Sequence, residues 1–168
     1  ELLGNLAKIH PDIEQSWRES EQLGRCQVAP LMRALRKEIL HLTSEPAWRN
    51  HWNNEGSVPD YSHVQRQFEA FFAAGHFDEL LELGDLLWRE GSTQVEQSDD
   101  DGESATDIGE CLEVVIDAVP KSSLPRPQQL LWLIERRLSD EFGLLDGATW
   151  VLEQHFPFCP LGHQCKSR

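Results

Sequence analysis

The side chains best suited to chemistry crowd near the C-terminal end, where His155, Cys159, His163 and Cys165 run as His-x3-Cys-x3-His-x-Cys. Thiolate sulfur and imidazole nitrogen hold zinc tetrahedrally, so four such ligands are enough for one ion. Pro157, Pro160 and Gly162 supply turns with which the stretch can fold round a metal. The spacing is not that of a standard zinc finger, and no Cys-x2-Cys pair occurs in the chain. A tail without metal is therefore the competing expectation.

A second candidate is Asp99-Asp100-Asp101-Gly102-Glu103, which looks like part of a calcium loop. Setting Gly102 at the sixth loop position puts Ile108 at the twelfth, where a bidentate glutamate is required. Starting at Asp99 brings Glu110 to the twelfth position but puts Ser104 where the glycine belongs. Neither register works. The run reads instead as a solvated loop entering a helix, with Ser104 and Asp107 as a capping box.

Catalytic groups are scattered. The seven histidines fall on different segments, and no phosphate-binding glycine loop, Gly-x-Ser-x-Gly elbow or His-Glu-x-x-His occurs. Cys111 has no base partner and is expected on the side of its helix away from the apolar stripe. Glu79 and Glu82 read as a wet helix face. A non-catalytic protein is the expectation.

The elements that position these groups are helices. Residues 61–91 form the organising pair: Val64, Phe68, Phe71 and Phe72 repeat with helical period, and Gly75 offers a left-handed stop. Phe77, Leu80, Leu81, Gly84, Leu87 and Trp88 then resume the period. Gly84 sits on the apolar face, where glycine costs ~1 kcal/mol against alanine. Close approach of another helix, the one carrying Leu112 and Ile116, is the expected compensation.

Upstream, Leu2, Leu3, Leu6 and Ile9, then Ile13 and Trp17, suggest a broken helix, and Leu31, Leu35, Ile39 and Leu42 a longer one. Downstream, Ile108, Leu112, Val115, Ile116 and Val119 make one clean stripe ending at Pro120. Leu131, Ile134 and Leu138 mark the next helix, and Leu144, Leu145, Ala148, Val151 and Leu152 the last. Residues 46–60 and 92–103 read as irregular linkers, with Trp48 and Trp52 either packing on the central pair or standing exposed for recognition. No strand is expected. The sequence thus predicts an all-α chain of seven or eight helices. Residues 1–156 form one helical-repeat domain of stacked antiparallel hairpins, and 157–168 a turn-rich tail.

The formal charge of −14 is uneven. Residues 1–60 carry 7 basic and 9 acidic side chains, 61–120 carry 2 and 15, and 121–168 carry 6 and 5. An acidic middle third repels phosphate backbones, so no direct nucleic-acid contact is expected there. No apolar run reaches the ~18 residues of a membrane span. Four cysteines are too few for a disulfide framework at this length, which suggests a reduced, cytoplasmic setting. Stacked hairpins offer a concave face for another protein or a neighbouring domain, with Gln65, Glu69, Glu82, Asp85 and Arg89 as candidate contacts. Oligomeric state is not legible.

Gly75-His76-Phe77-Asp78-Glu79-Leu80 resembles the inter-helix turn of a tetratricopeptide repeat, although Leu80 and Leu87 occupy positions where that repeat needs small residues. The expected architecture is a tetratricopeptide-like α-α superhelix. Phe68-Glu69-Ala70 through Ala74-Gly75-His76, Leu80-Leu81-Glu82-Leu83-Gly84 and Ser98-Asp99-Asp100 also resemble the helical region beside SWIM-type zinc fingers. That family's Cys-x-Cys followed by Cys-x-His is absent, so no ligand role passes to any residue here. The resemblance implies a bacterial cytoplasmic scaffold. A zinc-dependent regulatory module, reaching nucleic acid through an upstream finger, is the alternative.

Overall fold

The computed structural model describes residues 28–50, 52–53 and 55–156. Its helices are α1 (Val28–Leu42), α2 (Ser62–Ala73), α3 (Phe77–Gln97), α4 (Glu103–Ala118), α5 (Arg126–Leu138) and α6 (Ala148–His155). A 3-10 turn, Val119–Lys121, follows α4. Six α-helices are thus present among the described residues, and the helical piece expected over residues 1–24 lies outside them. The fold is mostly helical, as the sequence predicts. None of these helices is long and apolar enough to cross a membrane.

The central pair forms as its periodicity demands. Helix α2 buries Val64, Phe68 and Phe71 and stops at Gly75, whose φ is +81°. The stop is a Schellman turn: Gly75 N–H donates to the Phe72 carbonyl at 3.1 Å and His76 N–H to the Phe71 carbonyl at 3.0 Å. The accompanying side-chain contact is aromatic, with the His76 and Phe71 rings 6.1 Å apart edge to face. Helix α3 then begins at once and packs on α1, α2 and α4.

The closest approach is between α3 and α4. A Cβ on Gly84 would lie 2.4 Å from Val115 Cγ1, and one on Gly91 would lie 3.1 Å from Ile108 Cδ1. The two glycines stand seven residues apart on one face of α3, so α4 sinks into a seam that no other side chain would leave open. The expected close packing at Gly84 is present. The residue filling it is Val115.

Several expectations are overturned. Residues 46–60 contain a β-hairpin, β1 (Trp48–Asn50) with β2 (Glu55–Ser57), antiparallel in the register Trp48↔Ser57 and Asn50↔Glu55. Such short strands give no alternating pattern to read. A distant tether fixes them: Arg49 N–H donates to the Asp99 carbonyl at 2.8 Å, Asp99 N–H to that of Ala47 at 2.9 Å, and Arg49 pairs with Glu103. Residues 92–97 continue α3, because Gly91 packs against α4 rather than ending the helix. The hydroxyls of Ser92 and Thr93 are absorbed by the Trp88 and Arg89 carbonyls one turn back.

The cap of α4 also differs. The helix starts at Glu103, after Gly102 in the left-handed region, and Asp100 replaces the Ser104–Asp107 box. Its carboxylate accepts from Ser104 N–H at 2.8 Å and Gly102 N–H at 3.2 Å. Cys111 is fully buried beneath Tyr61, not on the open side of α4. In α5 the buried positions are Gln129 and Leu133, while Leu131 and Leu138 are exposed. Trp132 and Arg136 fix that phase by both donating to Asp85 on α3, at 3.1 and 3.0 Å.

Candidate functional site: an acidic groove between two helices

Helices α2 and α4 leave an open groove of about 350 Å³ between them, lined by Gln65, Glu69 and Phe72 from α2 and by Glu110, Glu113, Val114 and Asp117 from α4. Each wall follows from helical spacing. Gln65, Glu69 and Phe72 fall four and three residues apart, beside the buried stripe of Val64, Phe68 and Phe71. On α4, Glu110, Glu113 and Asp117 stand about 180° round the helix from Ile108 and Val115, which face the glycine seam. The stripe that buries α4 therefore turns a carboxylate row outward.

Glu69, Glu110, Glu113 and Asp117 have no ion-pair partner among the described residues, whose pairs lie elsewhere. The floor is half-buried and apolar, made by Phe72 and Val114. The Lys121 ammonium, outside the groove lining, sits 3.9 Å from the centroid of the Phe72 ring and 5.8 Å from that of Phe77, so the Phe72 ring already receives a cation. Further along α4, burial pushes the Asp107 carboxyl above its ordinary range, and the nearby charges of Glu110, Asp60, Glu103 and Asp100 push it the same way. Negative potential thus runs along the outer side of α4.

No family model matches the chain, and comparison with curated proteins and with solved structures gives no match either. The chemistry is left to the residues. Carboxylates without an ion-pair partner among the described residues, beside an aromatic ring, suit an ammonium or guanidinium group.

Of the five contacts expected from sequence, Gln65 and Glu69 come together in this groove. Glu82 pairs with Arg36 on α1, Asp85 is held by Trp132 and Arg136, and Arg89 pairs with its neighbour Glu90. Those three do not line the groove. Glu110, Glu113 and Asp117 were missed; the available signal was their i, i+3, i+7 spacing opposite the apolar stripe. Of the proposed zinc ligands only His155 is described, with its side chain exposed at the end of α6 and its carbonyl accepting from Arg126. Cys159, His163 and Cys165 lie outside the described residues. Among the described residues no group of three or more His, Cys, Asp and Glu side chains is arranged to hold a metal.

Trp48 and Trp52 stand out for the opposite reason. Trp48 is 45% exposed and Trp52 99%, so Trp52 does not pack as a cap on the central pair.

Proposed function

We propose that this chain is a non-catalytic helical scaffold that binds another protein, or a neighbouring domain, in the groove between α2 and α4. The observation that carries this reading is the coincidence of an apolar floor with four carboxylates that have no partner among the described residues. Like charges at i, i+3 or i, i+4 on a helix repel one another slightly, so such a row is favoured when a cationic group is set against it. Here three carboxylates line the α4 wall and Glu69 faces them from α2.

The tetratricopeptide-like stacking, and the resemblance to the helical region beside SWIM-type fingers, belong to the same proposal. The support for the stacking is the tight α2–α3 hairpin and its Schellman turn. In that setting the scaffold acts beside other modules, and its working surface is a groove rather than a reaction centre.

The test is affinity capture with the wild-type chain and with Val114→Arg, which fills the groove and offsets its charge. A partner held by the wild type and lost from a folded Val114→Arg protein is the expected result. Recovery of the same proteins by both forms, or of none, refutes the assignment.

A further inference from the structure

We infer that the occupant of the groove is a basic amphipathic helix, with Lys or Arg repeating at i, i+3 or i+4, and i+7 and small apolar residues between them. This deepens the scaffold reading and rests on it. The argument begins with spacing. Glu110, Glu113 and Asp117 climb α4 over seven residues, about 10 Å at the helical rise. Glu69 and Gln65 face them one turn apart on α2. A trough between two packed helices is the natural seat of a third, whose ridges fall into the grooves of its neighbours. A third helix repeats at the same rise, so its charged rows match the carboxylate row without distortion.

Charge selects the sign of those rows. Residues 61–120 hold 15 acidic side chains against 2 basic ones, and the four groove carboxylates are unpaired among the described residues. An acidic or phosphate-bearing ligand would meet repulsion along the whole wall. Val114 interrupts the row with an apolar contact, and Phe72 faces it from α2, which asks the partner for an apolar position among its cations. The Lys121 ammonium 3.9 Å from the centroid of the Phe72 ring shows that this ring takes a cation on its face.

Exposed ion pairs contribute little one at a time. Recognition therefore depends on several pairs acting together with the apolar strip, and it weakens as salt screens the charges.

The test is fluorescence anisotropy of a labelled helical probe of roughly 18 residues, long enough to hold helical structure, carrying Lys at the stated spacing with Leu and Ala between. Binding to the wild-type chain should fall at least tenfold in Glu110→Gln/Glu113→Gln/Asp117→Asn. It should fall about as much between low and moderately high salt. The control Glu96→Gln/Glu141→Gln/Glu153→Gln makes the same change in net charge at exposed sites outside the groove, and should bind as the wild type does. Three results overturn the inference: equal loss in the control, unchanged binding in the groove variant, or equal binding of a probe with Glu in place of Lys. A probe of the same composition broken by two central prolines isolates the helical requirement, and its equal binding overturns that requirement. If capture yields a groove-dependent partner while the basic probe does not bind, the scaffold reading stands and this inference falls. If both fail, both fall.

Discussion

Replacing Gly84 with alanine sets two opposed effects against each other. In an open helix position the change adds stability, because alanine is favoured over glycine by ~1 kcal/mol. Here the new methyl would lie 2.4 Å from Val115 Cγ1, 2.7 Å from Cγ2 and 3.0 Å from Cβ. Carbon atoms in good contact sit about 3.5–4.0 Å apart, so the overlap exceeds an ångström. Val115 is β-branched, fully buried and restricted at χ1, so it cannot rotate clear. Relief requires α4 to move off α3, and overpacking of this kind costs ~1–3 kcal/mol. Three contacts this short place the cost in the upper part of that range, ~2–3 kcal/mol, so with the propensity gain of ~1 kcal/mol subtracted Gly84→Ala should lose ~1–2 kcal/mol, and Gly84→Leu more. In a chain of this size each kcal/mol lowers the melting midpoint by about 2–4 °C. The assay is a thermal melt of Gly84→Ala, Val115→Ala and the double variant. Because Val115→Ala removes the two clashing methyls, the double variant should be more stable than the two losses summed, by ~1 kcal/mol or more. An unchanged or raised midpoint for Gly84→Ala, or simple additivity in the cycle, would refute the close-packing account.

Asp100→Ala removes the acceptor for the first N–H groups of α4 and should cost ~0.5–2 kcal/mol, read by denaturant unfolding. Burial raises the Asp100 carboxyl, but hydrogen bonds from Ser104 and Gly102 outweigh it and hold its pKa below the ordinary 3.8. Its contribution is therefore present above that pH and is lost as pH falls through the lowered value, so wild type and variant should converge in strong acid. Asp107 has the opposite sign. With its pKa raised by burial and by Glu110, its ionisation weighs against the fold at neutral pH. Asp107→Asn should raise the melting midpoint at pH 7, and the gain should vanish below the unfolded-state value near 3.8. Burial pushes the Cys111 thiol up to about 12, aided by Asp107 and Glu110. In a Cys26→Ser/Cys159→Ser/Cys165→Ser background, Cys111 should resist a thiol reagent at pH 8 until denaturant is added. Trp52→Ala should leave the melt within ~0.5 kcal/mol of wild type, since its side chain is 99% exposed.

Where burial is periodic, the sequence spoke clearly. The α2–α3 pair, the turn at Gly75, the α4 stripe and the meaning of Gly84 could all be read from apolar spacing and one misplaced glycine. Gly91 shows the limit of the same reasoning. Followed by Ser92 and Thr93 it looks like a helix breaker, and only the approach of Ile108 turns it into a packing position. The β-hairpin depends on Asp99, about fifty residues away, which no local pattern displays. In α5, Asp85 chose the buried face by recruiting Trp132 and Arg136, against the apolar marks at Leu131 and Leu138. The groove was half legible. Its α2 wall lay among the expected contacts, but pairing it with α4 needed the tertiary arrangement.

The glycine seam has a consequence on the far side of the molecule. Helix α4 carries Val115 and Ile108 toward α3, and Glu110, Glu113 and Asp117 on the reverse, like the two edges of one plank. How deeply it sinks at Gly84 and Gly91 therefore sets how far its acidic edge stands above α2. A methyl inserted at the seam lifts the plank and changes the width of a channel it does not touch. Two buried positions without side chains thus act as the shim that gauges the surface opening, so selection for a fitting partner would be felt at residues that the partner never meets.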